Sequence, residues 1–365
     1  MSIEYNTPHV LRDSNIELYR IIAMLLIVAH HFVVNSGIMP IVDAQPTAIR
    51  SVALYIEGMW GKTGINCFVL ITGWFMCKSH ITARKFLKLF LEIVFYKILF
   101  TAIFAATGYH YYGPVETLLN IWPIWSITTD FVSCYLVFFL FIPFLNILVH
   151  NMTRRQHLTL VILCLTVFSV METLPLMDVT SNYVIWFSIL YIIASYMRLY
   201  PIAHKHDLRF WTMATAISIF LAVVSVVALI FLGTSYGPWG LVSDSNRVLA
   251  VAVGVTSFMM FVNIKIPYSK LINTIAASTF GVLLIHANSD IMRQWLWKDV
   301  CNVAGHYNSE YFWLYILITP LLVFTVCIVI DHIRLRFLEQ PVLQWADKIY
   351  LRIRTRLSPK LSGLF

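Results

Sequence analysis

Apolar stretches long enough, or nearly long enough, to cross a bilayer recur ten times in this 365-residue chain. They lie at about 16–36, 63–78, 87–107, 127–149, 157–174, 181–198, 211–232, 246–262, 274–290 and 311–332. Hydrocarbon offers the backbone no water to bond, so each such stretch has to satisfy its own amides as a helix. The second, fifth and ninth are short, which leaves the count open by one or two. Of all residues, 59% are hydrophobic and 12% charged, against about 25% charged in soluble domains. One aqueous core could not hide that much apolar surface. The expected fold is an all-α integral membrane protein, a bundle of about ten transmembrane helices over 1–332, followed by a basic amphipathic tail over 333–365 lying on an anionic leaflet.

An even number of spans puts both termini on one side, and the cations choose that side. With the termini cytoplasmic, 19 of the 26 Lys and Arg fall on the cytoplasmic face. Five fall on the other: Arg50, Lys62, Arg247, Arg293 and Lys298. Arg20 and Lys97 lie within spans. The imbalance follows the positive-inside rule. The net charge of +8 then reflects orientation and lipid contact, and no nucleic-acid partner is expected. The first 15 residues hold Glu4 and Asp13 beside one cation, Arg12, and no small-residue cleavage site follows, so the first span is expected to be retained. Of six cysteines only Cys301 falls in a predicted loop, and their spacing gives neither a disulfide framework nor a metal site.

The first span carries ionisable residues that a bare anchor would not need. Arg20 and His31 are 11 residues apart, which at 100° per residue is about 20° past three full turns, so they share a face roughly 16 Å apart along the axis. Glu17 and Asn35 continue this line, and His30 is rotated about 100° from it. Such a line could be a packing seam between helices, but charged groups at membrane depth mark pathways and active sites. Imidazole, with an ordinary pKa near 6.5, suits proton transfer. Arginine stays charged and grips carboxylate or phosphate. Together they suggest transfer of a group from an anionic donor to a hydroxyl, with His31 as base and Arg20 orienting the donor.

Other polar residues are less defined. Glu92 and Lys97 share the third span but sit about 140° apart, so each needs a partner on another helix, as a structural bridge or as a pathway lining. His286, one turn before Asp290, could meet the His31 face or be a satisfied bundle histidine. Asp130 and Glu57 stand at span edges as weaker candidates. Tyr109, Tyr111, Tyr112, Trp122, Trp125, Trp239, Trp295, Trp297 and Trp313 read as an interfacial aromatic belt. Gly233-Thr-Ser-Tyr-Gly237 spells a nucleophile elbow but follows a membrane span, not a strand, and is set aside.

The Arg-x10-His spacing of the first span resembles the signature of the acyltransferase-3 family of integral membrane acyltransferases. Further stretches are similar to that family's patterns in the same order: Gly64–Phe75, Asp130–Asn146, Ser278–His286 and Glu339-Gln-Pro341. The resemblance implies about ten spans and transfer of an acyl group, usually acetyl from acetyl-CoA, to a surface glycan or lipid-linked saccharide. It implies His31 as the essential residue and Arg20 as its support, and its pattern places a histidine at His286; Glu17 joins the candidate site as part of the polar line on the same helix face. A basic motif after the second span is associated with the donor, and Arg84, Lys85 and Lys88 occupy that region, with lysines where arginine is common. Acyl-CoA would be a co-substrate, with no metal. The setting implied is a bacterial plasma membrane, with membrane lipids as partners and self-association left open. The rival reading is a transporter or flippase for a polysaccharide, amino acid or acylated solute, with the polar line as its route.

Overall fold

A computed structural model of the chain describes residues 13–339, 341, 342 and 345, apart from 125–126, 128–129, 175–176, 178, 180, 201 and 203–205. Trp125 and residues 346–365 of the expected tail lie outside the described residues. The described residues form helices and connections without a strand. In order these are α1 (Ser14–Val34), α2 (Met39–Ala44), α3 (Ile49–Gly58), α4 (Gly61–Met76) and α5 (Ala83–Ala106). Next come α6 (Pro114–Ile121), α7 (Phe131–Asn151), α8 (Arg154–Leu165), α9 (Tyr183–Leu199) and α10 (Leu208–Leu232). The last are α11 (Val248–Asn263), α12 (Lys270–Ala277), α13 (Thr279–His286), α14 (Asp290–Gln294) and α15 (Phe312–Arg334).

Among the described residues, six helices are long and apolar enough to cross a membrane: α1, α5, α7, α10, α8 with its continuation to Met171, and α15 with its continuation to Glu339. A seventh is possible by length if Lys270–His286 and Asp290–His306, bent by 94° at their junction, make one broken span. Ten apolar stretches do not therefore yield ten helices of full spanning length. The shortfall has a physical cause. The helices α4 and α9 are walled by protein over most of their surface, from Gly61 to Trp74 and from Trp186 to Met197, so hydropathy there reports burial in the bundle as much as contact with lipid. By contrast, α10 buries Thr215, Ser218, Ala222, Val226 and Ile230 along one stripe against α11 and exposes Met213, Ile217, Phe220 and Val224. That is the pattern of a lipid-facing helix.

The innermost helix is α1, which touches α3, α4, α11, α12, α13 and α15. Glycine allows α4 to come close to it. A Cβ on Gly64 would stand 2.8 Å from the Ala23 carbonyl oxygen, and one on Gly61 2.2 Å from the His30 ring.

The inner ends of α5 and α15 are locked by charge. Arg334 donates from Nε to Asp331 Oδ1 (2.8 Å), from Nη1 to Glu339 Oε2 (2.7 Å) and from Nη2 to Glu92 Oε1 (2.9 Å). Tyr96 donates to the same Asp331 oxygen at 2.8 Å, and Lys88 Nζ lies 2.7 Å from Glu339 Oε1. The missing partner of Glu92 is thus Arg334, and its role is an interhelical bridge. Arg334 itself, expected among the surface cations of the tail, is buried in this cluster, because the three carboxylates can be buried only if a cation is buried with them.

Candidate active site

The C-terminal end of α1 opens on a cavity of about 590 Å³. Ile27, His30 and His31 form one wall, and Lys97, Asn120, Asp130, Tyr183 and Arg293 are among the residues of the others. The bend after α13 supplies Ala287, Asn288, Ser289 and Asp290. The break in the helix is what brings polar side chains and a chain corner to membrane depth, where irregular backbone is tolerated against a cavity.

Behind this wall lies a chain of imidazoles. His286 is fully buried, and its Nδ1 is 2.6 Å from the Val282 carbonyl oxygen one turn earlier. A carbonyl can only accept, so Nδ1 carries the proton and Nε2 of the neutral ring accepts. That Nε2 is 3.0 Å from His31 Nδ1, which must then donate. Neutral His31 is left with its lone pair on Nε2, and the ring is held by a partner on another helix. The arrangement is the one by which a bonded second nitrogen fixes the tautomer of a working histidine.

The expectation that His286 could meet the His31 face corresponds to this contact. His286 does not itself line the cavity, so it is a positioning residue. Asp290 is not its partner, being paired with Arg293. His30 lines the same cavity as His31 despite its 100° offset, with Nδ1 2.5 Å from the Gly58 carbonyl oxygen and its ring in the space that Gly61 leaves.

Arg20 and Glu17 do not line this cavity. They lie deeper along α1, with Arg20 Nε 3.4 Å from Glu17 Oε2 and the guanidinium 5.8 Å from the Phe68 ring centre. Neither of those two atoms has a hydrogen-bond partner, and the Arg20 side chain keeps 27% of its surface exposed. The two share a helix face, but the cavity is lined by Ile27 and His31 and not by Arg20. The pair is therefore split between a cavity and a second, inner position.

The basic residues at the start of α5 are all exposed. Lys85 Nζ donates to Ser79 Oγ (2.6 Å) and to the His80 carbonyl (2.9 Å), which ties down the connection from α4. Lys88 is paired with Glu339, and Arg84 stands beside them on the same turn. Lys97 is nine residues further along the helix, roughly 14 Å, and its role is to line the cavity.

Sequence reasoning did not assign Lys62 or Tyr183 to the site. Lys62 Nζ bonds the Tyr183 hydroxyl at 2.6 Å and lies 3.8 Å from Asp244. No local pattern marks this group, because its members come from α4, α9 and the connection before α11. Asp130 lines the cavity but is engaged, its Oδ2 accepting from the Ser133 amide at 2.8 Å to start α7. Glu57 lies on α3, outside the spans and outside the lining, where burial pushes its carboxyl up to about 8. The aromatic belt is only partly a belt. Tyr111, Trp122 and Trp313 are exposed, whereas Trp297 is buried against Phe32, and Trp239 donates to the Tyr55 carbonyl at 2.8 Å.

A family model described as an acyltransferase domain matches residues 13–332. No curated protein and no solved structure matches the chain. The match begins at the foot of α1 and ends two residues before Arg334, so it takes in the imidazole chain, the cavity and both ends of the broken span.

Proposed function

The chain belongs to the acyltransferase-3 family of membrane acyltransferases, and from that premise we propose that it moves an acyl group, acetyl foremost, from acyl-CoA to a hydroxyl of a surface or lipid-linked glycan. The observation that carries this reading is the contact between His31 Nδ1 and His286 Nε2 on the wall of a polar cavity. It leaves His31 with a lone pair at Nε2, as a general base needs. The acceptor hydroxyl gives its proton to that nitrogen while its oxygen attacks the thioester carbonyl. The tetrahedral adduct then collapses, the carbon–sulfur bond breaks, and the thiolate leaves with the proton from His31. General base catalysis of this kind contributes typically 10²–10⁴-fold, and holding the two substrates together adds to it.

In this reading the donor comes from the cytoplasm. Its anionic end meets Arg84 and the lysines beside it, and Arg20, whose side chain keeps 27% of its surface exposed, holds charge along the route. Glu17 keeps the Arg20 side chain in place. All ten apolar stretches cross or enter the bilayer, four of them as short or broken helices shielded by the full-length ones. Both termini are cytoplasmic, and the membrane is a bacterial plasma membrane. The transporter reading is disfavoured because the chain shows no matching halves with paired interrupted helices.

The test supplies the purified protein with radiolabelled acetyl-CoA and a membrane glycan extract. Label should pass to glycan with the natural chain and fall at least 100-fold with His31→Ala. Near-normal labelling by His31→Ala would refute the assignment.

A further inference from the structure

A second cavity of about 440 Å³ adjoins the first, lined by Lys97, Val115, Glu116, Leu119 and Asn120. Lys97 and Asn120 belong to both linings, so the two spaces meet at a lysine in the body of a spanning helix. A cation there is costly unless something answers it. Among the described residues Lys97 makes no hydrogen bond or ion pair, and Asp130, whose charge reaches it only through space, takes its hydrogen bonds from Ser133 at the start of α7. The other acids on the two walls are occupied as well: Asp290 by Arg293, and Glu116 by His110, whose Nε2 is 2.9 Å from Glu116 Oε1. Lys62 is engaged by Tyr183 and Asp244. Of the lysines and arginines on the two walls, Lys97 is the one with no ion pair in contact among the described residues.

The second cavity opens beside α6, an eight-residue helix that begins with Pro114 and is fixed to α5 by a bond from Asn120 Nδ2 to Thr101 Oγ1 (2.8 Å). Val115, Leu118 and Trp122 fall on one side of α6 and are 70%, 67% and 56% exposed. Glu116 and Asn120 turn to the other. An amphipathic helix with a bare apolar face lies in a membrane interface. The sequence of surroundings from outside inward is therefore apolar rim, lysine, polar cavity, histidine.

We infer that Lys97 binds a phosphate-type anion on the acceptor, and that the acceptor is a membrane-anchored saccharide entering between α5 and α6. Its apolar chain lies along Val115, Leu118 and Trp122, its anionic group meets Lys97 at the junction, and its sugar reaches the His31 wall. A soluble saccharide would have no use for the apolar rim, and a neutral glycolipid none for the lysine. This rests on the acyltransferase reading of the His31 cavity, but its test does not measure acyl transfer.

Full-length protein in phosphatidylcholine nanodiscs is titrated with dodecyl phosphate, with dodecyl maltoside and with inorganic phosphate, following the thermal unfolding midpoint. Dodecyl phosphate should raise the midpoint saturably, and the other two should not at the same concentration. Lys97→Met should weaken the apparent affinity roughly tenfold or more, the scale of a lost charge-assisted bond, and Lys97→Arg should keep it. Val115→Asp on α6 should weaken dodecyl phosphate as well, which tests the rim even if Lys97→Met fails to fold. Equal midpoint shifts in the natural chain and Lys97→Met would overturn the anion site. An equal response to inorganic phosphate would overturn the anchored acceptor, and no response to dodecyl phosphate would overturn both. Because binding is read without turnover, a failed His31→Ala experiment and a failed titration are told apart.

Discussion

At the scale of single residues, the proposed chemistry turns on which nitrogen of His31 holds the proton. The Val282 carbonyl orders His286, and His286 orders His31. Replacing His286 by Leu removes the acceptor for His31 Nδ1 and frees the wrong tautomer. Acyl transfer by His286→Leu should fall roughly 10- to 100-fold, the usual cost of losing a group that orients a working ligand or base, with the fall in kcat and KM little changed. His286→Gln, whose amide oxygen can accept from Nδ1, should recover part of the loss. Equal rates for the natural chain and His286→Leu in a steady-state assay would mean the contact is mere packing. His31 was legible in the sequence because an ionisable residue in a span stands out, and His286 because a late motif ends on it. That His30 lines the same wall was not legible, since helical phase alone cannot reveal that Gly61 leaves its ring room there.

At the scale of elements, two close contacts and one buried carboxyl make separate demands. A Cβ on Gly281 would stand 2.1 Å from Asp331 Oδ1, inside the cluster that joins α5 and α15. Gly281→Ala should therefore cost about 1–3 kcal/mol by overpacking. Arg334→Met, which strands Glu92, Asp331 and Glu339 together, should cost about 3–5 kcal/mol. Thermal unfolding in a neutral detergent would check both, and an unchanged midpoint for Arg334→Met would contradict the lock. For Glu57 on α3 the folded carboxyl titrates near 8, above its ordinary value of 4.5, so the folded chain holds the proton more tightly than the unfolded one. Its contribution to stability is full below about pH 4 and is lost as the pH rises toward 8. Glu57→Gln should unfold at the natural chain's temperature at pH 4 and above it at pH 9. The positions of these helices were legible, since each apolar stretch falls on helix, but their partners were not. Nothing near Glu92 in the sequence points to Arg334, 242 residues away.

At the scale of the whole molecule, long apolar helices such as α10 face outward, while α1, which carries His30 and His31, packs against six other helices. Burial in protein and burial in lipid look alike in composition, so ten stretches were legible while six or seven helices of spanning length were found. The 94° bend after His286 was not legible either, and it is what opens the cavity. On the proposed reading the molecule has two ends, the basic residues Arg84, Lys85 and Lys88 at one and the polar cavity at His31 at the other. The account requires that donor and acceptor come from opposite sides. Its most direct measurement uses sealed vesicles containing the protein in one orientation and an extract of anchored glycan. Radiolabelled acetyl-CoA is supplied on one face at a time. Label should reach glycan when the donor is on the face of Arg84 and Lys88, should fail to do so from the other face, and should disappear with His31→Ala. Equal transfer from both faces, or transfer that survives the loss of His31, would contradict it.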